Sequence, residues 1–72
     1  MLSFYYSNFH KYCLTSNGVK MKTKYFNSRQ EANAAMYKFC DRKGIHVECV
    51  DDSKHFKLYS DNNGISFCVA RV

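Results

Sequence analysis

The segment SRQEANAAMYKFCDRKG, Ser28 to Gly44, carries helix signals at both ends and leaves only two short arms for the rest of the fold. Ser28 and Glu31 have the S-x-x-E spacing of a capping box, in which hydroxyl and carboxylate satisfy backbone N–H groups that a first turn leaves unpaired. Ala32, Ala35, Met36, Phe39 and Cys40 then recur at helical spacing as one apolar stripe. Arg42 and Lys43 suit the negative end of the macrodipole, and Gly44 offers a left-handed stop with Ile45 after it. The spacing predicts a helix over Arg29–Lys43.

Each arm contains an Asn-Gly dipeptide flanked by β-type sequence, a strong hairpin signal because both central residues must tolerate positive φ. A two-residue turn at Asn17-Gly18 pairs Leu14 with Met21, Tyr12 with Thr23, His10 with Tyr25, Lys11 with Lys24 and Phe9 with Phe26. That register sorts Leu14, Met21, Tyr12 and Tyr25 to one face, and Lys11, Lys20, Lys22 and Lys24 to the other. The same rule at Asn63-Gly64 pairs Leu58 with Val69 and Phe56 with Arg71, leaving Lys57, Tyr59, Cys68 and Ala70 on the opposite face. Between the helix and this hairpin, IHVECV reads as a strand with Ile45, Val47 and Cys49 on one side, and DDSK as the turn that follows it.

A chain of 72 residues, 46% apolar with six Phe, six Tyr and no proline, suits one small domain over 1–72 with an aromatic core. The expected fold class is α+β: an antiparallel sheet of about five strands, order ββαβββ, with one helix packed on one face. One helix over five strands leaves a face or an edge for a homodimer. The first residues are ambiguous, since Leu2, Tyr5, Tyr6, Phe9 and Cys13 fit a helical stripe while the aromatics favour a strand, and a strand or irregular extension is the favoured reading. Met21 could itself open a reading frame, which would make residues 1–20 an accessory hairpin arm.

The net charge of +5 resides in the first thirty residues, in Lys11, Lys20, Lys22, Lys24 and Arg29; from Glu31 onward basic and acidic side chains balance. Such segregation attracts a polyanion or an acidic protein surface. The functional expectation is phosphate contact by the lysines, extended by Arg29, with Phe9 and Phe26 as stacking platforms for unpaired bases. The bland alternative is the solvated face of an edge hairpin, where lysine discourages aggregation.

Two H-x-x-C spacings, His10 with Cys13 and His46 with Cys49, supply a ligand set suited to zinc. Residues three apart on a strand point to opposite faces, so the better reading makes the cysteines small apolar residues. No metal and no cofactor are expected. Asp51, Asp52 and His55 are explained as turn residues. The chain has no phosphate loop and no nucleophile elbow, so no catalytic residues and no enzyme are expected. MLSFYYSNFHKYC has neither an uninterrupted apolar core nor a cleavage site, so a cytoplasmic protein with reduced cysteines is expected, without membrane association. Two disulfides would fit only an exported chain. Tyr6, Tyr37 and Tyr59 are the candidate exposed tyrosines for a protein interface.

The stretch KYFNSRQEANAAMYKF is similar to the strand-to-helix junction of several small α+β modules, among them the arm-binding amino-terminal domain of phage integrases, which presents a sheet to the DNA major groove. The segment after the helix departs from the integrase order, where strands come first. In general character the chain also resembles the compact, basic, Lys/Asn/Tyr-rich proteins of phages and mobile elements, including anti-CRISPR proteins, which bind a defence nuclease or its nucleic acid. These likenesses imply a non-enzymatic interaction protein. The expected partner is nucleic acid or a ribonucleoprotein at the lysine face; the alternatives are a phage-type inhibitor of a host defence nuclease acting by protein contact and, third, a zinc-stabilised binding module.

Overall fold

The computed structural model describes residues 11–72. Five strands and one helix follow one another as β1 (Tyr12–Asn17), β2 (Lys24–Phe26), α1 (Arg29–Lys43), β3 (Glu48–Asp52), β4 (Phe56–Ser60) and β5 (Ser66–Arg71). The strands form one antiparallel sheet in the order β2-β1-β5-β4-β3, and α1 lies across β5, β1 and β2. This is the α+β architecture and ββαβββ order that the sequence predicts.

The helix ends follow from local chemistry. Ser28 is extended (φ −140°, ψ 158°) and its Oγ accepts from the Glu31 N–H at 3.2 Å, while Glu31 Oε1 accepts from the Asn27 N–H at 3.2 Å. The reciprocal bond thus reaches one residue further back than the standard capping box. At the other end Gly44 takes φ 72°, its N–H donates to the Asp41 carbonyl, and the Ile45 N–H donates to Cys40 O at 2.8 Å. That pair of bonds is a Schellman motif, and Ile45 packs back against the core as the motif requires.

The core lies between α1 and the sheet: Leu14, Ala32, Met36, Phe39, Cys40, Tyr59, Phe67 and Val69 are buried. Phe39 meets Phe67 edge-on at 5.9 Å between ring centroids, and Tyr37 meets Tyr59 at 5.6 Å. The Tyr59 hydroxyl donates to Asn33 Oδ1 at 2.9 Å, which satisfies the one polar atom this ring carries inward.

Both hairpin registers differ from the two-residue-turn expectation. In the second, Asp61 rather than Asn63 starts the loop: its carboxylate accepts from the Asn63 and Ile65 N–H groups at 2.9 and 2.8 Å, and its own N–H donates to Ile65 O. The result is a three-residue loop, Asn62-Asn63-Gly64, closed by Gly64 at φ 88°. Leu58 now opposes Cys68 and Tyr59 opposes Phe67. This one-residue slip puts Tyr59 on the inward face with Phe67 and Val69, and Phe56 and Leu58 on the other face with Cys68 and Ala70.

The first hairpin is not a tight turn at all. β1 pairs with β5 over its whole length, and Gly18 (φ 92°) sits where an added Cβ would lie 2.9 Å from the Gly64 carbonyl. The backbone therefore runs past the turn position into a loop over 18–23, in which Val19 and Met21 are half-buried against the core. β2 resumes at Lys24, and the pairs are Tyr12 with Phe26, Cys13 with Tyr25 and Leu14 with Lys24.

The third strand also moves. Ile45 and Val47 pack on the core from an irregular link, and the ladder starts at Glu48, runs through the expected turn residues to Asp52 and slips register around Val50. The turn is Ser53 to His55, closed by the Ser53 N–H to Phe56 O at 2.9 Å.

Candidate nucleic-acid interface

The revised registers separate the four lysines that the sequence places on one face. Lys20 and Lys22 lie in the 18–23 loop, Lys24 lies on β2 opposite Leu14 and so on the helix side of the edge, and Lys11 lies at the far end of β1 on the open side. All four are exposed, and among the described residues none has a carboxylate within ion-pair distance. Lys11 and Lys24 are not opposed, so the like-charge contact expected between them does not arise. Lys20, Lys22 and Lys24 stay together as a cluster at the β2 edge.

Arg29 belongs to a different structure. Its Nη2 donates to Ser53 O at 2.7 Å, to Phe56 O at 3.0 Å and to Asp52 Oδ1 at 3.3 Å, so it clamps the β3–β4 turn to the helix start. Phe26 is half-buried on the helix side, packed against the core, and does not share a face with Lys11. Its neighbour Tyr25 takes the face away from α1 instead, 53% exposed and opposite Cys13. Phe9, Tyr6 and His10 lie outside the described residues.

Of the tyrosines proposed for a protein interface, Tyr37 is half exposed and Tyr59 is buried at 1% exposure, a consequence of the one-residue slip at the second hairpin. Burial, with Tyr37 alongside, pushes the Tyr59 hydroxyl well above the ordinary tyrosine range. The Cys40 thiol is likewise pushed up, by burial and then by the Asp61 charge, and Cys68 by burial and then by Cys13.

The His₂Cys₂ set does not assemble. Cys13 is on the open face of β1 and Cys49 on the helix side of β3, with β5 and β4 between them, so about 14 Å of sheet at ~4.8 Å per strand separates two candidate ligands of one ion. No group of three or more His, Cys, Asp or Glu among the described residues is arranged to hold a metal.

The structure also shows where the carboxylates go. Glu48, Asp51 and Asp52 lie on β3, Asp61 is committed to its loop, Glu31 caps α1, and Asp41 is on the last turn of α1. Asp52 pairs with Arg29 and, at 3.9 Å, with Lys57. One sheet edge is therefore basic and the other acidic.

Two further cations lie at the end of the sheet where Lys11 stands. Arg71 opposes Tyr12 on β1, and Lys54 lies in the turn whose His55 carbonyl accepts from the Arg71 N–H at 2.9 Å. No signal local to either residue marks them, because their proximity to Lys11 depends on β5 closing beside β1. The exposure of Tyr25 follows from the register, because a shift of odd length exchanges its face with that of Phe26. No protein-family model, curated protein or solved structure matches the chain.

Proposed function

We propose that this protein is a non-enzymatic binder of nucleic acid, or of a ribonucleoprotein through its nucleic acid, and that the β2 edge with Lys20, Lys22 and Lys24 is the contact surface. The observation that carries this reading is the division of charge across the sheet. These lysines are exposed with no carboxylate in reach among the described residues, while the sheet's own acids line the opposite edge, on β3. An unneutralised cluster of this kind attracts phosphates and releases their counterions on binding.

The test is fluorescence anisotropy with labelled single-stranded DNA, duplex DNA and RNA at two salt concentrations. Wild type is compared with a Lys20→Ala, Lys22→Ala, Lys24→Ala variant. Binding that weakens steeply with salt and falls in the variant supports the reading. Equal binding by both proteins, or none, refutes it.

A second reading, an inhibitor of the phage-borne kind that docks on an acidic protein surface, is favoured by one feature: the half-exposed Tyr37 ring beside Ala34, Lys38 and Asp41 on α1. An interface centred on a tyrosine loses little affinity with salt and is weakened by Tyr37→Ala. Salt dependence therefore separates the two.

A further inference from the structure

Resting on the reading of the β2 edge as a phosphate-binding surface, we infer that the site continues to a second cationic group, Lys11, Lys54 and Arg71, and that its ligand is a single strand long enough to touch both. The second group is assembled by the sheet. The Val72 N–H donates to Lys11 O at 2.8 Å and the Arg71 N–H to His55 O at 2.9 Å, which fixes the starts of β1 and β4 beside the end of β5. The three cations thus lie at one end of the sheet, across about 10 Å at ~4.8 Å per strand, with Arg71, opposite Tyr12, on the helix side, Lys11 on the face away from it and Lys54 in the turn before β4. All three are exposed and, among the described residues, without a carboxylate partner.

Lys24 opposes Leu14, three residues along β1 from Lys11, so the edge cluster begins about 10 Å from the second group at ~3.3 Å per residue, and Lys20 and Lys22 lie in the loop that leads into β2. Along the sheet, Tyr25 lies between Lys24 and Lys11, half exposed on the face away from α1. Cations along the β2 edge and round one end of the sheet, with an aromatic ring between, suit a flexible single strand, whose backbone follows the charges while a base stacks. Duplex is the poorer fit. A major groove admits a two-stranded ribbon, but here β1 is also paired with β5 along its whole length, so the β1–β2 ribbon is not free to enter.

The experiment uses the full chain and oligothymidylates of about three, six and twelve nucleotides, with a hairpin duplex alongside, read by anisotropy over a salt series. Expected for wild type is a steep gain in affinity beyond about four nucleotides, and weaker binding to duplex. Lys54→Ala with Arg71→Ala lowers affinity for the longest strand about ten-fold and reduces the salt slope by about 1.4, while the shortest strand binds nearly as before. Lys54→Glu, a turn substitution that touches no backbone bond, weakens the longest strand in the same direction.

If the double variant matches wild type at every length while Lys22→Ala with Lys24→Ala loses affinity, the second group is no part of the site and the edge reading survives. Tighter binding to duplex than to the long single strand overturns the choice of ligand. Failure of every oligonucleotide to bind overturns the edge reading itself, and this inference with it.

Discussion

Replacing Arg29 with Met separates the architectural cation from the binding ones. The guanidinium makes one contact with a carboxylate, at 3.3 Å with side chains 31% and 58% exposed, and two with carbonyls, at 2.7 and 3.0 Å. An ion pair that open contributes at most ~1 kcal/mol. The carbonyl bonds weigh more, because a hydrogen bond from a charged donor contributes ~1.5–3 kcal/mol. Phe56 O keeps the Ser53 N–H and Oγ as donors when Arg29 is removed, so mainly Ser53 O is left unpaired, and partial access to water offsets some of that. The net expectation is a loss of about 1.5–2 kcal/mol. For a domain of this size that lowers Tm by on the order of 10 °C.

Thermal and urea unfolding followed by circular dichroism measure the loss, with Asp52→Asn as the control that removes only the exposed pair. Arg29→Met should cost at least twice as much as Asp52→Asn and leave oligonucleotide affinity unchanged once both proteins are folded. If Asp52→Asn matches it, the ion pair carries the clamp and the assignment to carbonyl bonding is wrong. A large loss of affinity in the folded Arg29→Met protein would return Arg29 to the binding surface.

The triple alanine variant of Lys20, Lys22 and Lys24 should unfold within about 0.5 kcal/mol of wild type, since none of the three makes a hydrogen bond or ion pair among the described residues; calorimetry checks this. Gly18→Ala should destabilise more than Gly44→Ala: both need positive φ, at about 1 kcal/mol, but only at Gly18 does the new Cβ meet backbone, 2.9 Å from Gly64 O. Equal Tm shifts would refute the close approach of the two loops. Exposed Cys49 should react with a thiol reagent well before buried Cys40, whose pKa is raised and which waits for an opening of the fold; residue-resolved mass spectrometry reads both. Tyr59 is held neutral in the fold, so its stabilising contribution is full below the unfolded tyrosine pKa of about 10 and declines as pH rises from there toward the folded value. Alkaline unfolding should therefore be shallower in Tyr59→Phe than in wild type.

The helix was legible almost to the residue. Its boundaries depend on bonds within four residues of each end, Ser28 with Glu31 and Gly44 with Asp41, and such bonds form wherever the sequence carries the partners. Element order was legible for the same kind of reason, since turn residues and apolar runs alternate along the chain. The candidate site was legible only in part: the lysines are evident in the sequence, but their faces are not, and nothing local to Arg71, Lys54 or Tyr25 marks them for the proposed site.

What the sequence by itself determined is thus the local part: a capped helix between two β arms, an aromatic core, and a net charge gathered at one end of the chain. The strand registers belong to the tertiary structure, because they answer to partners far away in sequence. Leu14 is held against Val69, so β1 runs past Asn17-Gly18 without turning, and the Asp61 carboxylate sets a three-residue loop where Asn63-Gly64 alone promises two. Strand side chains alternate with a period of two, so each odd slip reverses a face. Those reversals bury Tyr59, turn Phe26 inward, bring Tyr25 out, and convert a lysine face into a basic edge.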